Sequence, residues 1–486
     1  MKMKGLIVTL LLFLSAFAVL GAQLGAAIII VPGDYATIQQ AVDNAHPGDT
    51  ILVGSGVYSG ATIDKKIILY GDPGGGSHIT SGVHYGGGAA LDTAFHLDTG
   101  ADGTEIRDFT INCDQSSSFY FAVFSRGIDN VIIDSLVVND TIQGITNYGG
   151  NGWKITNNTF TDTYPAGGGG IAIWVGINPT YPVAQHNLIE KNSMTTSLPG
   201  ASTFTCAAIN LGFDARSGGE TGNEDLSHNL IINNTITVTG DQTNTVGIEA
   251  GIIGISGDST RIAALLGTIH DNVIRSNSIQ GSQWGIYLYT ASTTTVTHNS
   301  ITGCSDRGIY IKDGNYGTLI HCNDIYGNTQ YGVYNVSGVT TDTRFNWWGS
   351  ASGPYHPGWN PGGTGDRISD NISPTPWGIT PNPCASHGTA NEIQPVYGTQ
   401  ICPLARYNLS QAEQALTSIQ ELLSPVTALD LDTSQVDALI REAESLLEKA
   451  RRFCENSQNC IAGNVCALEA QNLLQQAEDL LESMLE

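Results

Sequence analysis

Six carboxylates stand out by position: Asp214, Glu220, Glu224 and Asp225 crowd one polar stretch, and Glu249 and Asp258 follow downstream. Carboxyl groups that converge in pairs do general acid and base work on a glycosidic bond. Lys312, with Arg307 nearby, is a candidate base for an elimination, and Asp313 beside it is an oxygen ligand for Ca²⁺. His186 and His228 open the matching segments HNLIEKN and HNLIINN, with Asp271 in the third row and His270 next to it. Imidazoles aligned in this way with a carboxylate are a candidate metal site. Tyr287, Tyr310 and Tyr334 occupy the same place in three successive segments, and Trp174 and Tyr289 run next to them. A stripe of aromatic faces suits the apolar faces of sugar rings in a polymer. The same residues also have plainer readings as solvated loop acids, a turn lysine, stacked histidines and a self-stacking tyrosine ladder.

What must hold these side chains is a repeat. From Val131 to Gly349 an aliphatic residue, two variable positions, Asn, one variable position and an aliphatic recur. The pattern runs through ITNNTF, IEKNSM, IINNTI, IRSNSI, VTHNSI and IHCNDI and closes with RFNWW. Its Asn are Asn158, Asn192, Asn234, Asn277, Asn299, Asn323 and Asn346, with Asp134 and Asp108 in the equivalent earlier places. The last four are 22, 24 and 23 residues apart. A coil of that length rising one strand spacing, about 4.8 Å, is a parallel β-helix. Asn at the corner is expected in a left-handed conformation, its amide bonded to the Asn above and below. Gly285, Gly308 and Gly332, before a second strand, read as further bends. Between Asn158 and Asn277 the spacing swells to 34, 42 and 43 residues. The surplus reads as loops that wall a groove on the central coils, from Tyr164–Gly170 to Asp258–Gly267.

This pattern resembles the pectin-lyase-like right-handed parallel β-helices, and among them the NosD-like repeat proteins. The opening IIIVPGDYATIQQAVDNAHPGDTILVGSGVYSG looks like that group's start, a helix followed by the first strand. Ile38, Ala41, Val42 and Ala45 share one helical face that would plug the open end of the first coil. NWWGSASGPYHPGWNPGGTGDRISDNISPTPW looks like its irregular closing cap. The resemblance spans Ile28 to Trp377 and implies an all-β solenoid; it leaves activity open, because one scaffold carries lyases, hydrolases, epimerases and binders. Copper-cluster assembly is associated with NosD-like relatives. The Asp-Asp pair and Gly-His-Gly of polygalacturonase-like hydrolases and the Asp-Pro-His-Glu of alginate epimerases do not occur in the chain.

Composition narrows the partners. Net charge is −25, and only 13 Lys and Arg fall between Ile28 and Gln400, which excludes nucleic acid and repels polyanions. Lys2 and Lys4, the apolar run Leu6–Leu20 and the small residues to Ala27 read as an export signal over 1–27. Residues 28–377 then form the right-handed β-helix, 378–405 a Pro/Gly-rich linker, and 406–486 a three-helix bundle available for a partner or self-association. Among nine cysteines, Cys384 and Cys402 bracket the linker, while Cys304 and Cys322 lie one coil apart and either pair or pack. The expected function is a secreted or cell-surface binder of extracellular polysaccharide, using a groove in the central coils. A polysaccharide lyase or glycoside hydrolase in that groove, and a structural envelope or adhesion protein, are the alternatives.

Overall fold

The computed structural model describes residues 26–84, 91–113, 119–161, 163, 170–198, 206–216, 218–240, 242–253, 259–381 and 384. In the C-terminal part it describes 413, 415–417, 419, 420, 423, 433–455, 470, 474 and 477. The export signal lies outside the described residues except for its last two. The chain divides into two units, Met1–Cys384 and Ala385–Glu486.

The first unit is an all-β parallel β-helix. Three long sheets wind around one core: thirteen strands from Ile28–Val31 to Ile372–Ser373, ten from Gly56–Ser59 to Asp324–Tyr326, and eleven from Ala61–Ile63 to Tyr331–Asn335. Strands pair in parallel along each path, and one short antiparallel partner, Val83–His84, sits off the third sheet. Register explains the aliphatic repeat. Ile133, Ile155, Ile189, Ile231, Ile274, Val296 and Ile320 stack in the first sheet; Ile145, Ile173, Ile209, Ile248, Ile286, Ile309 and Val333 stack in the third. All are fully buried, each contributing about 2 kcal/mol of burial.

Between the first and second sheets runs the Asn ladder. Each Nδ2 donates to the next Oδ1, from Asn158 through Asn192, Asn234, Asn277, Asn299 and Asn323 to Asn346, at 2.9–3.0 Å. The left-handed residue is the one before each Asn, not the Asn itself: Asn157, Lys191, Asn233, Ser276, His298, Cys322 and Phe345 all have φ of 56–65°. Asn is needed as the rung, because its amide closes the ladder and also bonds a backbone carbonyl, as Asn277 does to Ile231. A second ladder, not anticipated above, joins Asn187, Asn229 and Asn272 at 2.9–3.0 Å. The glycines of GIY are required for close approach rather than for a bend. A Cβ on Gly285 would lie 2.6 Å from the Gly308 carbonyl, and one on Gly308 the same distance from the Gly332 carbonyl.

The ends are closed as expected at one end and differently at the other. Helix α1 (Ile38–Asn44) is N-capped by Thr37 and buries Ile38, Ala41 and Val42 on the first coil, and Gln39 bonds both backbone groups of Thr62 on the adjacent edge strand. Near the C-terminal end Cys322 is disulfide-bonded to Cys384, so neither pairing suggested by spacing forms; Cys304 is a buried free thiol. The swollen coils are in part longer strands rather than loops: Cys206–Asp214 and Thr245–Ile253 have nine residues where Trp284–Tyr289 has six. Helix α2 (Ser259–Ala264) occupies the last expected loop.

In the second unit, helix α3 (Ser434–Glu455) buries Val436, Ile440, Ala443 and Leu447, and Arg451 pairs with Glu413 at 2.7 Å. Ala470, Leu474 and Ala477 are helical and buried at helical spacing.

Candidate functional site

On the outer face of the third sheet, register sets Phe124, Thr146, Trp174, Asn210, Glu249, Tyr287, Tyr310 and Tyr334 in one column. Beside it run Arg126, Tyr148, Gly176, Gly212, Gly251, Tyr289 and Lys312. The three glycines let the first column lean over. A Cβ on Gly176 would sit 1.8 Å from Trp174 Nε1, and one on Gly212 would sit 2.3 Å from Asn210 Oδ1 and 3.3 Å from Trp174 Nε1.

This central stretch is closed rather than an open groove. Trp174, Asn210 and Glu249 are 2%, 1% and 6% exposed, and Tyr287 and Tyr289 are also buried. Among the described residues Trp174 Nε1 and Asn210 Oδ1 have no hydrogen-bond partner, an arrangement that a single bridging hydroxyl or water would satisfy. Asn210 Nδ2 donates to Glu249 Oε2 at 2.8 Å. Burial pushes the Glu249 carboxyl up to about 7, only partly offset by that hydrogen bond.

Toward the C-terminal end the column opens, and its aromatic rings form a ladder. Tyr287 and Tyr310 stack at 5.1 Å and 22°, and Tyr334 follows at 5.8 Å. Trp284 packs on Tyr287 and Tyr310, and Tyr331 on Tyr334 at 4.6 Å. The Arg307 guanidinium lies 4.4 and 4.5 Å from the Tyr310 and Tyr334 ring centroids, while Asp306 pairs with it at 3.2 Å. A flat platform of tyrosine faces is therefore not what forms: the rings face one another along the axis. The ladder ends in a hollow of about 470 Å³ lined by Tyr331, Tyr334, His356, Arg367 and Asp370 among others.

The sequence candidates for chemistry are dispersed among local partners. Asp214 is bound by Arg216 through two hydrogen bonds of 2.8 and 2.7 Å. Glu220 pairs with Arg261 of α2. Glu224 accepts from Thr221 and Gly222 N–H groups; burial would raise its pKa, but these bonds pull it below the usual range. Asp225 is likewise pulled down against burial, by His270, Ser227 and Gln185. Asp258 lies outside the described residues. Lys312 Nζ sits 4.6 Å over the Tyr289 ring. Glu249 is thus the one of the five described candidate acids that is held by neither a cation nor a backbone N–H. Three of these carboxylates, Asp214, Glu220 and Asp225, are each engaged by a basic side chain where they stand.

The metal trio is also corrected. His186, His228 and Asp271 are register equivalents, each at a left-handed corner (φ 58°, 57° and 52°) immediately before a rung of the second Asn ladder. The His186 and His228 rings are 5.2 Å apart, but Asp271 turns to His270 Nδ1 at 2.8 Å. His270, held also by Asp225, is pushed up to about 9 by these two acids and so is a cation at neutral pH. Among the described residues, Asp313 included, no group of three or more His, Cys, Asp or Glu side chains is arranged to hold a metal.

Residues 220–358, less than a third of the chain, match the family described as periplasmic copper-binding protein (NosD). The A-module of the Azotobacter vinelandii mannuronan C-5 epimerase AlgE4 is similar in fold at 16% identity, covering 73% of this chain and 96% of that one, with a TM-score of 0.45. The AlgE6 A-module of the same organism matches at 16% identity over 64% and 81%, with a TM-score of 0.42. The catalytic domain of a GH87 α-1,3-glucanase in complex with nigerose matches at 14% identity over 72% and 68%, with a TM-score of 0.36. No curated protein matches the chain.

Proposed function

From a parallel β-helix repeat chain with a NosD-like segment, we propose a secreted or cell-surface protein that binds extracellular polysaccharide without cleaving it, at the open C-terminal end of the third sheet's aromatic column. The observation that carries this reading is the hollow at the foot of the ladder, where Tyr334 and Tyr331 border a space of about 470 Å³. A volume of that order accommodates a sugar ring or two, and an aromatic border with a few polar groups is the usual lining of a saccharide site. The buried ring of Tyr287 and the half-buried ring of Tyr310 serve to hold the terminal ring in place.

The surroundings of the acids support binding without cleavage. Glycoside hydrolysis needs two free carboxyl groups about 5 to 9.5 Å apart, and four of the candidates are engaged by Arg216, Arg261, His270 or backbone N–H groups. The test is retention on a panel of insoluble neutral and cell-wall polysaccharides, with release of reducing ends and unsaturated-uronate absorbance followed in parallel. Retention by the intact chain, lost on Tyr334→Ala and kept on Tyr287→Phe, with no products, is expected. Product release, or retention indifferent to Tyr334→Ala, overturns the reading.

A further inference from the structure

The hollow is lined by one guanidinium, Arg367, and one carboxylate, Asp370, and the two do not pair with each other. Arg367 is exposed on the strand Gly365–Arg367, its guanidinium 4.8 Å above the Tyr331 ring centroid, and among the described residues it makes no ion pair or side-chain hydrogen bond. The neighbouring charged side chains have other partners. Arg307 is paired with Asp306 at 3.2 Å. Asp366 points to the opposite side of Arg367's strand and accepts from Gly327 N, Asn328 N and Asn328 Nδ2 at 2.9–3.0 Å. Asp370 faces His356 Nε2 at 3.2 Å. In a chain of net charge −25, one unpaired guanidinium on the wall of a cavity is a local exception.

We propose that this hollow is a subsite for a sugar residue bearing a single anionic group, with the ring against Tyr334 and Tyr331 and the carboxylate or sulfate on Arg367. The inference rests on the glycan-binding reading above and adds the class of sugar. A guanidinium takes an oxyanion through two parallel hydrogen bonds, and stacking on Tyr331 fixes the plane it presents. The acidic remainder of the molecule limits the ligand: a polyanion is repelled along the solenoid, whereas one charge at a chain end or branch meets only the hollow. His356, stacked on the exposed Trp359 at 5.1 Å and 18°, forms the far wall and continues the aromatic lining.

The experiment titrates the full chain with methyl β-glucoside and methyl β-glucuronide, which differ only in the carboxylate, at low and at 0.5 M salt. The expected result is at least fivefold tighter binding of the glucuronide at low salt, shrinking as salt rises. Arg367→Met should abolish that preference, and Arg367→Lys should retain part of it. Equal affinity for the two probes, or a preference that survives Arg367→Met, overturns the subsite and leaves the glycan-binding reading standing if retention persists. Loss of retention on every polysaccharide overturns both.

Discussion

Glu249→Gln isolates the energetic cost of the buried acid in the outer column. Its carboxyl is pushed from 4.5 to about 7 by burial, so the native state holds a proton that the unfolded chain has released between those values. The stabilising contribution is therefore fully present below pH 4.5 and is lost as pH rises to 7, after which it is flat. A displacement of about 2.5 units corresponds to roughly 3 kcal/mol. Gln keeps an oxygen for the Asn210 Nδ2 donor and carries no charge. The variant should match the wild type at pH 4 and exceed it by up to about 3 kcal/mol at pH 8. Stacked coils need not unfold in one step, so the measurement is hydrogen exchange of the Thr245–Ile253 strand by mass spectrometry, corrected for intrinsic rates. His270, pushed up to about 9, loses its own contribution between pH 6.5 and 9 in both proteins and cancels in the difference. Wild-type and variant protection that change in parallel from pH 4.5 to 8 would refute the assignment.

Two further perturbations test the scaffold. Asn277→Ala removes one rung, leaving the buried Asn234 backbone N–H without its acceptor, the Asn234 amide with one hydrogen bond fewer and the Ile231 carbonyl without this donor, and should lower stability by about 3 kcal/mol in urea unfolding. Cys384→Ser opens a loop of 62 residues and should cost up to roughly 4 kcal/mol, measured as a lower unfolding midpoint that reductant imposes equally on the wild type.

The solenoid was legible because its determinants are periodic. One aliphatic per strand and one Asn per corner recur at coil length, and the inward columns and main ladder follow from those positions. The second ladder was legible too, since Asn187, Asn229 and Asn272 keep the same 42- and 43-residue intervals as Asn192, Asn234 and Asn277. The adjacent His186 and His228 suggested ligands, when they occupy corners that tolerate many residue types. That tolerance also hid the left-handed position: Lys191, Ser276, Cys322 and Phe345 share it without sharing chemistry. Ring orientation was not legible at all. Spacing puts Tyr287 over Tyr310, but whether faces meet each other or solvent depends on side-chain torsions and on Arg307, which inserts from the neighbouring column.

Two charged groups near the aromatic column differ from the paired acids around them: Glu249 in its closed central stretch and Arg367 beside its open end. Each carboxylate on the central coils draws its partner from nearby in space and often from far in sequence, as Glu220 does from Arg261 and Asp225 from His270. Such pairing removes charge from a face already short of cations, so an acid left without a cation must either reach water or keep its proton. Glu249, enclosed beside Asn210 and Tyr287, keeps its proton over much of the acid range. Arg367, at the open end, is exposed on the wall of the hollow instead, so a cation without an ion pair costs little there and is available to a ligand. Burial separates the two exceptions: the closed one acts on stability and pH, the open one on recognition. A charge reversal at Arg367 should accordingly leave the pH profile of the Thr245–Ile253 strand unchanged, and Glu249→Gln should leave the glucuronide preference unchanged.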